Sequence, residues 1–449
     1  MSSNQPVTAV IVGAGHRAHC YAELALNRPD LLKIVGVADL NPDRVAYTAE
    51  RFHLTPEQCF SSSEEFCRKG RIADAVINGT GDAEHVPTTL PMLELGYDIL
   101  LEKPFAISQA EAEMFAAAAA RSTSKVMICH VLRYAPFYEA IKKHILNGDL
   151  GEILSITTAE HVSYHHYAGV FVRGRWHRYE EGKSTFLMQK CCHDLDLITW
   201  FMSGVNPVRV SSFGSLSYFT KAHAPKDSGT YCLLDCPCEK DCLYSAKKLI
   251  LDYDGIWLDY LMPELVYKDH TKADMEAVLR DTTRPCGKCV FKLDNDLMDR
   301  QHVSIEFENG VVATHELVGG TSRPMRKIHI VGSKGELYGI FDDQKFTIST
   351  PAPGQPIGQE YNLKEYGMQN WGDVSGALDG HGGADERLPY DFISLVQGKP
   401  CSVSCTILAD SINGHRIGFA ADLQVVFLPD GLTRCRGADG ELLVVKDAV

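Results

Sequence analysis

The sequence contains no long apolar run and has little positive charge. A membrane-spanning helix needs roughly 20 consecutive apolar residues, and the 449 residues include no such run. The first fifteen residues lack the basic region and long apolar stretch of a secretory signal peptide. The formal net charge of −14 at pH 7 disfavours nucleic acid and anionic membranes as partners, because both attract clustered Lys and Arg. We therefore expect a cytoplasmic protein that binds neither.

Internal repeats and low-complexity segments are also missing, and the length exceeds what one hydrophobic core usually organises. Residues 1–133 alternate short β-branched runs with helical stretches, a pattern that predicts a parallel, doubly wound sheet. Residues 134–449 contain alternating strands, which predict a large open, mostly antiparallel sheet with helices on one face. The predicted fold is thus an α/β Rossmann domain followed by an α+β domain. The tail 423–449 predicts a short hairpin with no recognisable chemistry.

A dinucleotide-binding motif follows the first predicted strand. The segment GAGHRA begins at Gly13, which permits a tight turn, and Gly15 lets the backbone approach a pyrophosphate at the start of a helix. Asp39 follows the second strand, where a carboxylate can bind ribose hydroxyls and repel a 2′-phosphate. The next residues, Leu40 and Asn41, offer no cation. The pattern predicts NAD rather than NADP.

These segments, together with TGDAEHVP at 80–87, LLEKPFA at 100–106 and a strand leading to Arg133, resemble the Gfo/Idh/MocA oxidoreductase family. The EKP tripeptide after a strand is the most specific element of the resemblance. It implies a cis peptide bond before Pro104. It also implies a second domain that binds a carbohydrate substrate and forms a homodimer or homotetramer through its sheet.

The resemblance also implies roles for individual residues of the first domain. Lys103 would lie beside the nicotinamide and the substrate hydroxyl, and Glu102 near the nicotinamide ribose. Thr80 and His85 would lie along the cofactor, with Arg133 near the carboxamide. The predicted cofactor set is Gly13, Gly15, His16, Arg17, Asp39, Thr80, His85, Glu102, Lys103 and Arg133.

A helix predicted around QKCCHDLDLITWF carries the proposed acid–base group. In the family the matching helix holds the catalytic histidine, so His193 is the candidate, and its near-neutral pKa suits proton exchange with a hydroxyl. The inositol dehydrogenase branch has an aspartate four residues earlier, where this chain has Gln189 followed by Lys190. Lys190 becomes a second catalytic candidate, and Asp194 a substrate ligand.

The segment EHVSYHHYAGVFVRGRW (160–176) is rich in side chains that can stack on a sugar or bind its hydroxyls, and it resembles a family branch with an FVRGxW motif. Tyr164 and His166 are its catalytic candidates. The predicted substrate ligands are His161, Arg173, Trp176, Asp194 and, from a Gly-rich loop, His381. We expect Asp385 in that loop to cap a helix.

Three functional classes remain open from the sequence. The first is net oxidation of a sugar, sugar derivative or cyclitol hydroxyl by NAD. The second is a glycoside hydrolase that oxidises C3 transiently, eliminates the aglycone, adds water and returns the hydride. The third is a non-catalytic sensor that binds a dinucleotide and a ligand; it would retain Asp39 without needing Lys103 or His193.

The stretch CLLDCPCEKDC (232–242) holds four cysteines, and CGKC (286–289) holds two more. Both lie in an insertion at 230–292 of the second domain. Clustered thiols in a reducing compartment are often metal ligands, and four thiolates can hold zinc tetrahedrally. The spacing resembles a pattern of the FVRGxW branch and implies one structural zinc site formed by Cys232, Cys236, Cys242 and Cys289. Unliganded thiols and a disulfide remain alternatives.

Overall fold

The structure is a computed structural model that describes residues 5–253, 255–363 and 380–422, with short strands beyond them. It divides the chain into two compact units. The first unit consists of Met1–Ile141 and Asp379–His415. The second consists of Lys142–Leu378 and Arg416–Val449.

Seventeen strands and fifteen α-helices are assigned within the described residues. The strands are β1 Val7–Val12, β2 Leu32–Ala38, β3 Cys59–Phe60, β4 Ala75–Asn78, β5 Asp98–Leu101, β6 Val126–Ile128, β7 Ile153–Ser163, β8 Pro207–Ser215, β9 Arg300–Phe307, β10 Val312–Thr321, β11 Met325–Gly332, β12 Glu336–Ile340, β13 Lys345–Thr350, β14 Ile357–Asn362, β15 Val426–Phe427, β16 Thr433–Arg436 and β17 Leu442–Val445. The helices are α1 His16–Ala22, α2 Leu24–Asn27, α3 Pro42–Phe52, α4 Ser63–Cys67, α5 His85–Glu94, α6 Gln109–Arg121, α7 Pro136–Leu146, α8 Tyr164–His166, α9 Tyr179–Gly182, α10 Phe186–Phe201, α11 Leu258–Leu261, α12 Pro263–Val266, α13 Lys272–Arg280, α14 Gly380–Gln397 and α15 Leu408–Asp422.

The first unit contains a parallel sheet with the strand order β3-β2-β1-β4-β5-β6. Its central strand β1 is buried at nearly every position, as expected for a strand covered by helices on both faces. Helix α6 begins directly after Ser108, whose side chain accepts a hydrogen bond from the Glu111 amide at 3.2 Å and caps the helix. The predicted doubly wound domain is confirmed.

The first unit is completed by a segment that returns from far along the chain. The Phe105 amide donates to Nε2 of His415 at 3.1 Å, and the Ser404 hydroxyl donates to the Arg133 carbonyl at 2.7 Å. Lys125 donates to the carbonyl of Leu395 in α14. This division differs from the single boundary predicted at 133/134, because contacts between distant segments leave no local sequence signal.

The second unit contains an open sheet with the strand order β14-β13-β12-β11-β7-β10-β9-β8-β15-β16-β17. Its described pairings are antiparallel except for β7 with β10 and β8 with β15. Helix α10 packs against β7 and β10. The predicted open, mostly antiparallel sheet is therefore confirmed.

The two faces of this sheet differ. Glu160 and His315 lie on the face covered by α10, where both are buried. Phe213 lies opposite His302 in the register, and His302 lies opposite Glu316, so these three share the other face. The Phe213 side chain is 77% exposed there.

Two further observations concern the helices and the tail. No helix in the described part of the chain has the length and apolar character needed to cross a membrane. In the tail, β15 and β16 pair antiparallel. The turn predicted at 429–431 between them lies outside the described residues.

Candidate active site

The glycine motif forms a tight turn between β1 and α1. Gly13 has φ +76°, and a Cβ added there would lie 2.5 Å from the Thr80 amide nitrogen, so a side chain does not fit. A Cβ added to Gly15 would meet nothing within 4 Å. The space beside the Gly15 backbone is therefore open, as close approach of a pyrophosphate requires. The turn fits a dinucleotide.

Asp39 is held beside this turn by backbone donors. Its Oδ2 accepts a hydrogen bond from the Ala14 amide at 2.7 Å, and its Oδ1 accepts one from the Asn41 amide at 2.8 Å. Each carboxylate oxygen keeps further acceptor capacity, which suits ribose hydroxyls. Sequence reasoning missed Arg44 in α3, whose guanidinium lies 3.6 Å from Asp39. The position of Arg44 in the first turn of α3, shortly after β2, could have indicated from the sequence that it lies near Asp39.

The EKP tripeptide lies directly after β5, at the carboxyl edge of the parallel sheet where doubly wound folds bind ligands. The Lys103–Pro104 bond is cis, as the resemblance implied. Glu102 Oε2 accepts a hydrogen bond from the Lys103 amide at 2.8 Å, and its Oε1 accepts one from the Tyr21 hydroxyl at 2.6 Å. Burial alone would raise the pKa of Glu102, but the charges of Arg17 and Lys103 lower it. A fixed carboxylate thus orients the backbone of Lys103.

Arg17 connects this carboxylate to α14. Its Nε donates to Glu102 at 3.2 Å, and its Nη1 donates to Asp385 at 2.9 Å. Asp385 also faces Nδ1 of His381 at 3.1 Å. Burial would raise the pKa of Asp385, but the Arg17 and His381 charges hold it well below its usual range. The expectation that Asp385 caps a helix is wrong, because it lies inside α14 and its carboxylate is paired with Arg17.

The other cofactor candidates of the first unit mainly contact the protein itself. His85 is buried, with Nδ1 2.7 Å from the Pro104 carbonyl and Nε2 3.1 Å from the Thr80 carbonyl. It therefore fixes two loops at the edge of the sheet. Arg133 is 1% exposed, and its Nη1 lies 3.5 Å from the Cys405 carbonyl. Direct cofactor contacts by these two residues stay predictions.

In the second unit, α10 contributes to a buried ionic cluster on the sheet. Lys190 Nζ lies 3.5 Å from Glu160 of β7. Arg326 of β11 lies 2.8 Å from Glu160 and 3.2 Å from Asp194. The cluster contains two acids and two bases, so its formal charge balances. Lys190 and Asp194, predicted at a reaction site, are thus engaged in an ionic network, and His193 lies buried between them in the helix sequence.

The interior environment shifts the protonation of these groups. Burial raises the pKa of Glu160 and of Asp194, while Arg326 and Lys190 oppose that shift. Burial and the Arg326 charge lower the pKa of His315 to about 3. His315 is therefore neutral at physiological pH, and its Nδ1 lies 2.9 Å from the Thr158 hydroxyl. Cys191, Asp194 and His315 offer three ligand atoms within 4.8 Å of one another, but the adjacent Arg326 disfavours a cation there.

Tyr164 and His166, both from the segment 160–176, lie in different surroundings. The Tyr164 hydroxyl lies 3.2 Å from that of Tyr253, and this hydrogen bond together with burial raises the pKa of Tyr164 to about 12. Tyr164 therefore gives up its proton less readily than an ordinary tyrosine. His166 is buried and stacks on Trp257 with ring centroids 4.2 Å apart.

Two predicted substrate ligands, Arg173 and Trp176, are buried and contact other parts of the protein. Arg173 is 1% exposed, and it donates to the Lys288 carbonyl at 2.9 Å and the Tyr244 carbonyl at 2.6 Å. Trp176 is buried and packs against Phe171. Their burial leaves almost no surface for a sugar, so a substrate-binding role for the FVRG arginine and the following tryptophan is not supported.

His161 is likewise misplaced for the predicted role. Adjacent strand residues point to opposite faces of a sheet. Glu160 faces α10, so His161 lies on the opposite face, where its Nε2 is 3.6 Å from Glu316. The predicted substrate contact by His161 is therefore incompatible with a site that uses α10.

The four cysteines predicted to bind metal line one small cavity together with Cys238 and Arg173. Cys286 does not line this cavity, and its thiol points to the Val278 carbonyl of α13 at 3.8 Å. Burial raises the pKa of Cys242 and of Cys289, and neighbouring thiols add to both shifts. The structure thus brings together cysteines from two distant stretches of the chain.

Two family models match the chain. One, described as the oxidoreductase family with an NAD-binding Rossmann fold, matches residues 7–130. The other, described as the C-terminal alpha/beta domain of that oxidoreductase family, matches residues 142–399. A Bacillus subtilis protein named as an oxidoreductase, YteT, is 26% identical over 368 residues, which cover 80% of this chain and 82% of the relative. The inositol 2-dehydrogenase of Rubrobacter xylanophilus is 27% identical over 205 residues, covering 44% and 53% respectively.

Solved structures show the same fold across nearly the whole chain. A levoglucosan dehydrogenase in complex with NADH and levoglucosan aligns with a TM-score of 0.65 at 17% identity, covering 99% of this chain and 100% of that one. An inositol dehydrogenase homologue from Azotobacter vinelandii in complex with NAD+ aligns with a TM-score of 0.62 at 16% identity, covering 93% and 96%. With family models that match over both units, the chain belongs to the Gfo/Idh/MocA family and is an NAD-binding oxidoreductase.

Proposed function

We propose that the protein oxidises a hydroxyl group of a small sugar, sugar derivative or cyclitol. The observation that carries this proposal is Lys103 at the carboxyl edge of the parallel sheet, with its backbone fixed by Glu102. An ammonium at this edge lies where doubly wound sheets bind their ligands. Relatives named for inositol and levoglucosan support a polyhydroxylated substrate.

Different residues would bind the dinucleotide, stabilise charge on the substrate oxygen and accept its proton. The turn at Gly13 and Gly15 and the carboxylate of Asp39 hold the dinucleotide, which supplies the hydride acceptor. Lys103 donates a hydrogen bond to the reacting hydroxyl and stabilises developing negative charge on its oxygen. His193 accepts the hydroxyl proton as the carbon loses hydride. The alcohol thereby becomes a carbonyl, and one proton is released.

A redox-neutral glycoside hydrolase is the second candidate. Expulsion of an aglycone requires a proton donor at the leaving oxygen, and the Tyr164 hydroxyl, which lies 3.2 Å from that of Tyr253, is the candidate for this role. Gln189 replaces the acid of the inositol dehydrogenase branch, which further distinguishes this chain from a simple alcohol dehydrogenase. The hydride would return to the sugar after water adds.

One purification and one screen separate the two reactions. Protein purified without added cofactor is examined for bound NAD by absorbance and then offered free sugars, cyclitols and aryl glycosides. Accumulation of NADH with a free sugar or cyclitol supports the dehydrogenase. Aglycone release without net NADH, with exchange of the C2 proton in deuterated water, supports the hydrolase.

Lys103→Ala tests both reactions at once. We expect turnover to fall about 10²- to 10⁴-fold, the range typical of a positioned proton-transfer or charge-stabilising group. Lys69→Ala removes an exposed lysine of the same unit and is expected to leave turnover unchanged. Full turnover of Lys103→Ala would refute both enzymatic proposals and leave a dinucleotide-binding sensor.

We also propose that the protein works in the cytoplasm as a homodimer or homotetramer. Its fifteen cysteines suit a reducing compartment. The sheet face opposite α10 carries the exposed Phe213, and Tyr338 on the same face is 47% exposed. Such side chains favour association of two copies through this face. Light scattering after size-exclusion chromatography measures the assembly, and a monomer at micromolar concentration would contradict the proposal.

A further inference from the structure

The cysteine cavity lies outside the proposed reaction, and its lining includes five cysteines, Arg173 and Glu239. Cys232, Cys236, Cys238 and Cys242 come from one loop, and Cys289 comes from a stretch 47 residues further on. Cys232 and Cys289 are buried, and the other three are partly buried. Several thiols around one point are common in metal centres. The surrounding insertion has little regular structure besides short helices such as α11, α12 and α13.

The backbone brings the two stretches together. The Cys232 amide donates to the Gly287 carbonyl at 3.0 Å, and the Cys289 amide donates to the Thr230 carbonyl at 2.9 Å. A β-bridge between Tyr231 and Lys288 lies between these two bonds. Cys232 and Cys289 are thus adjacent before any ligand binds. The loop from 232 then turns back, because the Cys242 amide donates to the Cys238 carbonyl at 3.0 Å.

Arg173 is the second, independent observation. Its guanidinium is buried, and Nη2 lies 3.6 Å from the Cys232 sulfur. Its Nη1 is buried without a hydrogen-bond partner in the described part of the chain, and no carboxylate there forms an ion pair with it. A buried cation requires a counter-charge. Neutral thiols do not supply one, whereas a zinc ion bound by four thiolates carries a net charge of −2.

We propose that Cys232, Cys236, Cys242 and Cys289 bind one structural Zn²⁺ and that Arg173 balances the charge of this centre. On binding, four sulfur–zinc bonds form and the thiols release their protons to solvent.

Two cysteines of the insertion are excluded from the ligand set. The Cys238 thiol is directed to the Lys226 carbonyl at 3.4 Å. The Cys286 thiol is directed to α13 and lies outside the cavity. With four protein ligands the zinc would have no open position for water or substrate, so the centre would stabilise the insertion rather than take part in hydride transfer.

The primary test is metal analysis of the full chain, expressed without a polyhistidine tag and purified without chelator. We expect about one zinc ion per chain. Replacing zinc by Co²⁺ should produce visible d–d bands of a tetrahedral ion and sulfur-to-cobalt charge-transfer bands. Absence of stoichiometric zinc, together with free titration of these thiols in the folded protein, would refute the proposal.

Serine variants test the ligand set within the same insertion. Cys242→Ser and Cys289→Ser should lose most of the zinc, whereas Cys238→Ser and Cys286→Ser should retain it. Dinucleotide binding by the first unit serves as the control for folding of the rest of the chain. Retention by Cys289→Ser or loss by Cys286→Ser would overturn the assignment. Arg173→Met should bind zinc more weakly than Arg173→Lys, which keeps the positive charge.

Discussion

At the scale of single residues, the carboxylates of Asp39 and Glu102 in the first unit can be compared by their hydrogen bonds. Asp39 accepts hydrogen bonds from the amides of Ala14 and Asn41, so its orientation is set by backbone on both sides. Glu102 accepts from the Lys103 amide and the Tyr21 hydroxyl, and it thereby orients the Lys103 backbone. Both carboxylates keep acceptor capacity, and we expect Asp39 to use its capacity on the ribose hydroxyls.

Replacing Asp39 by Ala should weaken NAD binding. The loss of charge-assisted hydrogen bonds costs about 1.5–3 kcal/mol, which corresponds to a roughly ten- to hundredfold higher Kd. The Asp39 charge would no longer repel a 2′-phosphate beside Arg44, so discrimination against NADP should fall as well. Calorimetric titration with each dinucleotide measures both effects.

Asp43→Ala is the matched control, because Asp43 is an exposed acid in the first turn of α3, four residues after Asp39. We expect it to bind NAD with nearly unchanged affinity. Equal weakening by the two variants would show that overall charge, and not the ribose contact, explains the effect.

At the residue scale, sequence reasoning located those groups whose position depends on neighbours in the chain. Gly13, Asp39 and the EKP tripeptide could be placed because a strand, a turn and a helix follow one another locally. Arg173 and Asp385 could not, since their partners are far away in sequence. A composition typical of sugar binding was misleading for Arg173, because the same donors also satisfy buried carbonyl groups.

At the scale of elements, α14 is attached to the dinucleotide turn by one buried ion pair. Asp385 of α14 pairs with Arg17 of α1, and the Asp385 side chain is only 5% exposed. The Arg17 side chain retains 19% exposure. The pair therefore joins two helices that are about 360 residues apart in the sequence. No local sequence pattern predicts such a contact.

Asp385→Asn should destabilise the first unit by about 2–4 kcal/mol, since Arg17 would remain buried with a weaker set of partners. The pKa of Asp385 is lowered in the folded state, so the stabilisation is present above the unfolded pKa near 4 and lost as pH falls. The difference between wild type and variant should therefore shrink below about pH 4. Unfolding in urea, with NAD binding as the signal for the folded first unit, measures this difference in stability.

Glu386→Gln is the control for Asp385→Asn, because Glu386 is exposed on the same helix. Its stability should match wild type at pH 7. A constant wild-type-minus-variant difference from pH 7 to pH 3 would contradict the ionic explanation.

The contact between α10 and the sheet depends on a second set of charges. Lys190→Met would leave Glu160, Asp194 and Arg326 with an unbalanced negative charge. We expect a loss of about 3–5 kcal/mol, and the double variant Glu160→Gln/Lys190→Met should lose less than the sum of the single effects. Trp176, Trp200 and Trp257 lie in the described part of the second unit, so tryptophan fluorescence reports its unfolding.

Lys221→Met, at an exposed position of the same unit, should leave the unfolding midpoint unchanged. If Lys190→Met kept wild-type stability and lost only turnover, Lys190 would act as a catalytic group, as the sequence predicts. The stability measurement therefore separates the two roles.

At the scale of the whole molecule, the first unit is discontinuous. Periodicity predicted the helices and strands of each unit well, including the parallel and the mostly antiparallel sheet. It did not predict that Asp379–His415 belongs with Met1–Ile141. Unit membership depends on pairings such as Phe105 with His415 and Lys125 with Leu395, and these are tertiary contacts.

A fragment of residues 1–146 should therefore fail to form a stable NAD-binding unit on its own. It would expose the surface that α14 and α15 cover and leave the buried Glu102–Arg17 network without Asp385. Coexpression with residues 380–422 should restore folding and NAD binding. Circular dichroism and dinucleotide titration measure both properties, and tight NAD binding by the isolated 1–146 fragment would contradict this expectation.

The discontinuity of the first unit also determines the order in which the protein can mature on the ribosome. Residues 142–378 are synthesised between the two segments of that unit, which takes roughly 10 to 50 s at typical translation rates. Strands β7 to β14 of the second unit are all complete before α14 leaves the exit tunnel. The dinucleotide-binding unit begins the gene, but we expect it to become native only after its second segment, residues 379–415, has been synthesised.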